Sequence, residues 1–304
     1  MEKTIEIIIC TEKGCLENLS KLLVATLRQY GGQFKDTPIV SYQPRKNYPI
    51  SRSTKKFFDE NNVEHFDIEL NKDFRDYPLA NKPLACAHRE GRSKADLLIF
   101  LDSDVIFLNE PKEFLAIKDA DVLLRPVGSK NIGSTGEDDP NNDYWQELYK
   151  MLGVKAHRQV TSLVDEQVVL EYYNSGHIVS KRSTNLYSQW EENFKKVSAS
   201  SLRPRGDSFF LEQSTFGATV SQLELNVGHF SHPYNYPVYF LENAENLKDH
   251  RFFISDFDEI VSLHYHKVFE QAGGIRILEE IFSQSEKGRN LAKMIRDYKV
   301  CPGS

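Results

Sequence analysis

The chain has 304 residues, of which 40% are hydrophobic and 27% are charged, and its formal net charge is −6 at pH 7. This is the composition of an ordinary soluble protein, with 14 Tyr and 19 Phe available to build a core. There is no basic face or lysine-rich run, which argues against a nucleic-acid partner, and no apolar run reaches the length of a transmembrane segment.

The first residues and the cysteines bear on the compartment in which the protein works. Met1 to Glu6 is acidic and leads directly into a predicted strand, so it lacks the basic and then apolar pattern of a signal peptide. The four cysteines have no CxxC spacing, which argues against a zinc site and a disulfide scaffold; they are Cys10, Cys15, Cys86 and Cys301. We therefore expect a cytoplasmic protein.

Strands and helices alternate in the first 70 residues. A short β-branched strand comes first, and the apolar residues after it recur at spacings of three and four, as on one face of a helix. This order is typical of an α/β fold with a mostly parallel, twisted sheet flanked by helices, in which ligands bind at the carboxyl ends of the strands. The predicted elements are strand Ile5–Cys10, helix Leu16–Tyr30, strand Thr37–Tyr42, helix Ser53–Asn62 and strand Val63–Leu70.

Two carboxylates follow the next strand. Leu97 to Leu101 is apolar, Asp102 and Asp104 stand one residue apart, and Val105 to Phe107 is apolar again. An ionised carboxylate at the end of a buried strand is costly unless a cation compensates it, and carboxylate oxygens suit Mn²⁺ or Mg²⁺. Such ions are commonly bound together with substrate phosphates, so the pattern predicts a metal site and a phosphorylated substrate. The alternative is a solvated strand end, but the turn residues expected there are lacking.

The remaining chain continues the alternation as far as an amphipathic C-terminal tail. The segment Gly128 to Asp143 is polar and without apolar periodicity, so it is predicted as a long loop, either a lid or a plain surface loop. The other predicted elements are helix Asn81–Ala95, strand Ala120–Arg125, helix Tyr144–Leu152, a polar turn and strand from Glu171 to Ser180, helix Leu186–Val197, and segments Phe209–Val220 and Ile260–Lys267.

Five short motifs occur in an order found in a known family. They are Leu101-Asp102-Ser103-Asp104, Tyr173-Asn174-Ser175-Gly176, Glu212-Gln213, Tyr234-Asn235 and Leu263-His264-Tyr265. In this the chain resembles GT-A fold glycosyltransferases, and most closely the glycogenin-like and bacterial lipopolysaccharide galactosyltransferase-like group. Two motifs depart from the family, which usually has Asp-Gln at Glu212-Gln213 and His-x-Gly-x-x-Lys-Pro where this chain has His264 to Lys267.

The resemblance implies a Rossmann-like GT-A domain over residues 1–270, with a nucleotide-binding half, 1–108, an acceptor and catalytic half, 109–270, and a helical extension, 271–304. It also implies transfer of a hexose, with retention of configuration, from a nucleotide diphosphate donor to a hydroxyl of a glycan or small-molecule acceptor. UDP is the expected base, and Mn²⁺ or Mg²⁺ the expected cofactor. The expected catalytic residues are Glu212, Gln213 and Asn174.

The residues expected to bind the donor and the metal lie at strand ends, at the start of the helix that contains Lys82, and on one face of the strand around Leu263. In the predicted strand around Leu263, His264 and His266 share the polar face, and the resemblance assigns His264 to the metal. His266 and Lys267 would then lie about 7 to 10 Å further along, close to the diphosphate. The expected metal ligands are Asp102, Asp104 and His264, and the expected donor-binding residues are Cys10, Thr11, Lys82, Asp102, Ser103, Asp104, His266 and Lys267.

Each of these residues also has a simpler interpretation. Asn174 to Gly176 could be a plain turn, Glu212 and Gln213 a solvated first turn of a helix, and Lys82 an exposed lysine, while the late histidines could cap a sheet edge. Two other functions remain open at this stage. One is a Mg²⁺-dependent phosphatase of the haloacid dehalogenase type, and the other is an inactive sugar-nucleotide-binding protein on the same fold.

Overall fold

The computed structural model describes residues 3–206, 208–266, 280 and 282–299. The strands of this part are β1 Ile5–Cys10, β2 Ile39–Gln43, β3 Val63–Asp67, β4 Leu97–Leu101, β5 Val105–Phe107, β6 Val122–Leu124, β7 Gln159–Thr161, β8 Val168–Leu170, β9 His177–Lys181, β10 Val227–His229, β11 Tyr236–Pro237 and β12 Ser262–His264. The helices include α1 Cys15–Tyr30, α2 Arg52–Glu60, α3 Asn81–Glu90, α4 Asn142–Leu152, α5 Leu186–Ala199, α6 Leu211–Gln222, α7 Tyr239–Glu242, α8 Ala244–Leu247 and α9 Glu286–Asp297.

The main sheet has seven strands in the order β10-β6-β9-β4-β1-β2-β3. The pairings of β1 with β4, of β2 with β3 and of β6 with β10 are parallel, whereas β6 pairs with β9 in the antiparallel sense. Central strands β1 and β4 are almost wholly buried, as their continuous apolar runs predict for a sheet covered on both faces. The predicted α/β class with a mostly parallel sheet is therefore confirmed.

The first helix ends where the sequence predicts, at Tyr30, and begins one residue earlier than predicted, at Cys15. Gly14 precedes it with φ 102°, a left-handed backbone that favours glycine, and its N–H donates to the Glu17 carboxylate at 3.3 Å. Gly31 follows its last residue and bonds back to the carbonyl of Leu27 at 2.8 Å. One face of α1, including Leu23 and Leu27, is buried. Side-chain packing and the glycines at the two ends therefore favour the same helix.

The chain divides into two compact units, each assembled from separated segments. The first consists of the described residues of 1–8, 68–100 and 115–229, and the second of the described residues of 9–67, 101–114 and 230–304. In the first unit, α5 packs against both α3 and α6, and the ring of Trp190 lies 4.8 Å from that of Phe216. Gly217 of α6 lies so close to the carbonyl of Glu171 that a β-carbon would come within 2.5 Å of it.

In the second unit, a three-stranded sheet with the order β11-β12-β5 brings distant parts of the chain together. Strand β12 pairs with β5 in the antiparallel sense, with His264 opposite Val105, and with β11 in the parallel sense. The apolar residues after the two carboxylates thus belong to a different sheet from those before them. The sequence could not show this, because both runs are equally apolar.

Several predicted elements are longer than the observed ones. The helix predicted to reach Ala95 ends at Glu90, where Gly91 closes the last turn, and the strand predicted to reach Leu70 ends at Asp67. The strand predicted over Ile260–Lys267 is limited to β12, and Lys267 lies outside the described residues. In the tail, residues 280, 282–283 and α9 are helical, whereas 275–279 lie outside the described residues.

The polar loop from Gly128 to Asp143 has a defined internal structure. Lys130 Nζ lies 2.7 Å from the carboxylate of Asp139, and the indole N–H of Trp145 donates to the carbonyl of Ile132 at 2.8 Å. The described part of this loop contains no strand, and α4 begins near its end, at Asn142. No helix among the described residues is long and apolar enough to cross a membrane.

Candidate active site

The two carboxylates after β4 lie in a short turn of the second unit. The N–H of Val105 donates to the carbonyl of Asp102 at 3.2 Å and closes the turn. The N–H of Tyr265 donates to the carbonyl of Asp104 at 3.1 Å and ties the turn to the end of β12. The side chains of Asp102 and Asp104 are 19% and 23% exposed, so both can be reached from solvent.

His264, the last residue of β12, is oriented toward this turn by Asn235. Its Nδ1 lies 3.0 Å from the side-chain oxygen of Asn235, and because an amide oxygen only accepts, this contact assigns the proton to Nδ1. Nε2, the other ring nitrogen, lies 3.2 Å from Oδ1 of Asp104 and 4.0 Å from Oδ2 of Asp102. A lone pair and a carboxylate oxygen at 3.2 Å repel each other unless a cation or a proton lies between them.

A second histidine completes the cluster. The ring of His266 lies 4.0 Å from that of His264, and its Nδ1 is 3.9 Å from Oδ2 of Asp104. One ligand atom from each of Asp104, His264 and His266 lies within 4.8 Å of the other two. Two ligands bound to one ion at about 2.1 Å can be no more than about 4.2 Å apart, which is close to these separations. The donor set and its spacing therefore fit a divalent cation.

The position of His266 differs from the expected one. The sequence predicts it further along a strand, beside a diphosphate, whereas the strand ends at His264 and His266 adopts a left-handed backbone with φ 49°. This left-handed backbone places the ring of His266 beside that of His264, with the two ring centres 4.0 Å apart. The predicted common face of the two histidines is observed, but a turn produces it rather than strand alternation.

A row of hydrogen bonds leads from β3 to the residue between the two carboxylates. We call it the hydroxyl row; its contacts are His65 Nδ1 to Ser41 Oγ at 3.1 Å, Ser41 Oγ to Thr11 Oγ1 at 2.9 Å, Thr11 Oγ1 to Ser20 Oγ at 2.8 Å, Ser20 Oγ to Ser103 Oγ at 3.1 Å and Ser103 Oγ to the Cys10 carbonyl at 2.7 Å. Cys10, Thr11 and Ser103, expected to bind the donor, are thus brought together. Their contacts in the row are with other parts of the protein.

His65 at the start of the hydroxyl row predicts an acid-sensitive fold. Burial, together with the charge of Lys55, lowers the pKa of His65 from 6.5 to about 4. The unfolded chain binds this proton near pH 6.5 and the folded protein only near pH 4, so stability is complete above 6.5 and falls as the pH is lowered to 4. The loss is at most about 3 kcal/mol.

The measurement is urea unfolding between pH 7 and pH 4, with His65→Gln as the non-titrating variant. The slope of unfolding free energy against pH should be smaller in His65→Gln than in the wild type. The neighbouring carboxylate Glu17 has a lowered pKa, because hydrogen bonds led by that from Ser51 outweigh its burial, so its contribution is lost only below about pH 4.5. Equal slopes for both proteins between pH 6.5 and 4.5 would contradict the prediction.

The first unit contains another polar cluster, at the start of α6. Glu212 is only 2% exposed, and its Oε1 lies 3.2 Å from Nζ of Lys82 and accepts a hydrogen bond from the Ser175 hydroxyl at 3.0 Å. A carboxylate so deeply buried is costly without a neighbouring cation, so Lys82 stabilises Glu212. The sequence predicts that Lys82 reaches nucleotide phosphates; in the structure its ammonium group lies beside Glu212.

Tyr77 holds the first turn of this helix. Its hydroxyl accepts from the Glu212 N–H at 3.1 Å and donates to the carbonyl of Phe209 at 2.6 Å. Burial, and then the charge of Glu212, raises the pKa of Tyr77, so the hydroxyl keeps its proton. The sequence contains no signal for this contact, because Tyr77 and Glu212 are 135 residues apart.

The other two expected catalytic residues have different surroundings. Gln213 is buried in the first turn of α6. The side-chain oxygen of Asn174 accepts from the N–H of Gly176 at 2.9 Å, which closes the turn before β9. Asn174 therefore shapes the turn that presents Ser175 to Glu212.

The sequence alone does not assign a role to two residues of the metal cluster and its surroundings. Asn235 belongs to a quoted motif, but its contact with His264 spans 29 residues and has no local signature. Ser20 lies on the buried side of α1 and contacts Ser103, 83 residues away. The buried side of α1 also contains the polar residues Glu17 and Thr26, so helix patterning alone does not single out Ser20.

Comparison with known proteins identifies the chain. A model of the Rhodobacterales glycosyltransferase domain matches residues 7–224. The chain belongs to this glycosyltransferase family. No curated protein matches it. The family assignment agrees with the predicted glycosyltransferase and does not support a haloacid dehalogenase-type phosphatase.

Solved structures similar to this glycosyltransferase have low sequence identity and show its fold. They include the bifunctional glycosyltransferase WbbM without ligand, at 14% identity and TM-score 0.57, covering 97% of this chain and 52% of that one. An active-site mutant of LgtC has 11% identity and TM-score 0.53, covering 94% and 99%. Mouse xyloside xylosyltransferase 1 has 10% identity and TM-score 0.51, covering 88% and 98%. This chain thus spans about half of the WbbM chain, and the predicted GT-A-like fold is confirmed.

Proposed function

We propose that this glycosyltransferase transfers a hexose from a nucleotide diphosphate donor, with a UDP-sugar as the expected donor, to an acceptor hydroxyl on a glycan or small molecule. The reaction depends on Mn²⁺ or Mg²⁺ held by Asp102, Asp104 and His264. The observation that carries this proposal is the 3.2 Å approach of His264 Nε2 to Asp104, with Asn235 holding the opposite ring nitrogen. Such a partner on the far nitrogen commonly orients a metal-binding histidine.

In this proposal, residues of the second unit bind the cation and orient its ligands. Asp102 and Asp104 supply carboxylate oxygens, Asn235 keeps His264 in the tautomer that presents Nε2, and Ser103 fixes the turn through the Cys10 carbonyl. These residues would hold a divalent cation, which would supply Lewis-acid stabilisation of the negative charge on the departing diphosphate. Without a cation, the two carboxylates would repel that diphosphate.

The roles proposed for residues of the first unit rest on the family resemblance, and the proposed cellular location rests on the composition. We propose that Glu212 and Gln213 contact the transferred sugar and that Asn174 holds the turn beside them. We further propose that the reaction retains the anomeric configuration of the sugar. The burial of Glu212 supports this role, because its carboxylate is only 2% exposed and lies beside Lys82. Buried carboxylates with a specific charged partner are common at functional sites. A cytoplasmic location stays a prediction.

The experiment measures UDP binding by calorimetry with Mn²⁺ and with a chelator. We expect UDP affinity to fall by at least about tenfold when the metal is removed, because the carboxylates then face the diphosphate alone. Uridine, which has no phosphates, is the matched control and should bind with the same affinity in both conditions. Equal affinity for UDP in both conditions would contradict metal dependence.

A second measurement tests catalysis itself. UDP release from UDP-sugars with and without an acceptor mixture distinguishes transfer from an inactive binding protein, which would bind UDP but release none from the sugar. GDP- and ADP-sugars in the same assay test the choice of base. If UDP-sugars are not turned over and another nucleotide sugar is, the donor assignment is wrong while the transferase assignment stands.

A further inference from the structure

The candidate metal cluster contains an unusual share of imidazole. Of the three side chains whose ligand atoms lie within 4.8 Å of one another, two are histidines, His264 and His266, and one is a carboxylate, Asp104. Imidazole nitrogen is a ligand that suits Zn²⁺, Co²⁺ and similar ions, whereas Mg²⁺ prefers oxygen ligands and gives up its water reluctantly. A second imidazole therefore changes which metals the site prefers.

The position of His266 is produced by a specific backbone feature. With φ 49°, it lies in the left-handed region, which histidine enters more often than most residues but which still requires support from its surroundings. The result is a ring whose centre lies 4.0 Å from that of His264 and whose planes differ by 32°. An extended backbone would instead carry His266 away from the cluster along the strand direction.

The two histidines differ in exposure to solvent. His264 is almost fully buried, with 4% of its side chain exposed, whereas 54% of the His266 side chain is exposed and Asp104 is intermediate at 23%. A cation at this cluster would thus have buried ligands on one side and His266 on the solvent side. His266 can act as a ligand without a role in the packing of the second unit.

We propose that His266 is a direct metal ligand that gives the site a preference for Zn²⁺ and Co²⁺ over Mg²⁺ and lets it bind these ions before any nucleotide arrives. This inference rests on the proposed metal site and deepens it. With His266, the proposed site has four side-chain ligands, two carboxylates and two imidazoles, and such a set holds a borderline transition metal without help from substrate phosphates. Mg²⁺, by contrast, binds this site only together with a nucleotide diphosphate.

The experiment is calorimetry and visible spectroscopy with the nucleotide-free protein, using Co²⁺, Zn²⁺ and Mg²⁺ as the probes. The variant is His266→Asn, because asparagine also accepts the left-handed backbone, so that a change reports on the ligand and not on strain. His157→Asn, at an exposed histidine of the first unit, is the matched control. Thermal unfolding without metal checks that both variants fold.

We expect the wild type and His157→Asn to bind Co²⁺ and Zn²⁺ at least about tenfold more tightly than Mg²⁺. His266→Asn should lose more Co²⁺ affinity than the roughly 10- to 100-fold that removing an outer partner costs, and its Co²⁺ absorption spectrum should change. Unchanged Co²⁺ affinity and spectrum in His266→Asn, or Mg²⁺ binding as tight as Co²⁺ binding in the wild type, would overturn the inference.

The two proposals fail separately. If Co²⁺ binding depends on His266 but UDP binding is indifferent to metal, the metal preference stands and the metal-dependent function fails. If UDP binding requires Mn²⁺ but His266→Asn binds Co²⁺ like the wild type, the function stands and the role of His266 is wrong.

Discussion

Replacing Asp104 by asparagine is expected to abolish metal-dependent sugar transfer while leaving the metal-free protein as stable as before, or slightly more stable. Asp104 is the carboxylate nearest to both histidines, so its charge contributes most to holding a cation. In the absence of metal, the same substitution relieves the repulsion between two neighbouring carboxylates. We expect Mn²⁺ affinity to fall by at least about 100-fold, because a direct ligand is lost.

The measurements for this variant are Mn²⁺ calorimetry, donor turnover and thermal unfolding in the presence of a chelator. Asp59→Asn, an exposed aspartate of α2, is the control and should change none of them. A large loss of metal-free stability in Asp104→Asn would mean that the carboxylate has a structural role, with its 3.2 Å contact to Nε2 of His264 as the feature to examine next.

Replacing Lys82 by methionine is expected to destabilise the first unit by about 3 kcal/mol or more, because it leaves the carboxylate of Glu212 buried without its cation. The pair is deeply buried, with 11% of the Lys82 side chain and 2% of the Glu212 side chain exposed. The double variant Lys82→Met with Glu212→Gln should recover most of this loss, since a neutral amide no longer needs a cation.

Lys195→Met is the matched control for this experiment, because Lys195 pairs with Glu191 at 2.6 Å on the surface of the same unit. An exposed pair of this kind contributes about 0 to 1 kcal/mol, so the control should unfold almost like the wild type. Chemical unfolding of the wild type, Lys82→Met, Glu212→Gln and the double variant gives the coupling energy of Lys82 and Glu212. If Lys82→Met and the double variant lose the same stability, the charge of Glu212 is not what Lys82 compensates.

The regular elements could be predicted from the sequence because their signals are local. The β-branched run of β1, the helical spacing of α1 and the glycines at its ends all lie within the element that they specify. The apolar run before Asp102 likewise indicates a buried strand that ends at a polar site. Element lengths were less predictable, since the end of α3 at Glu90 depends on a single glycine within a sequence that could continue as helix.

The contacts within the candidate site could not be predicted in the same way. Asn235 reaches His264, and Ser20 reaches Ser103, only because β11 and α1 are brought there by the fold. The position of His266 was predicted from strand alternation, but it depends on a left-handed backbone at His266 that the preceding residues do not indicate. The residue types were therefore predictable, and their partners were set by tertiary structure.

The hydroxyl row has a direction, and this limits how the sequence can vary. The Cys10 carbonyl only accepts, so Ser103 donates to it, each hydroxyl before it donates to the next, and His65 supplies the first proton to Ser41. Removing one hydroxyl leaves a donor and an acceptor unmatched inside the protein, which costs about 1 to 3 kcal/mol for each buried group. The middle position of the Asp-Ser-Asp turn is thus linked to position 20, and we expect replacement of both serines by alanine to cost about as much stability as replacement of either one, because each variant leaves one donor and one acceptor unmatched.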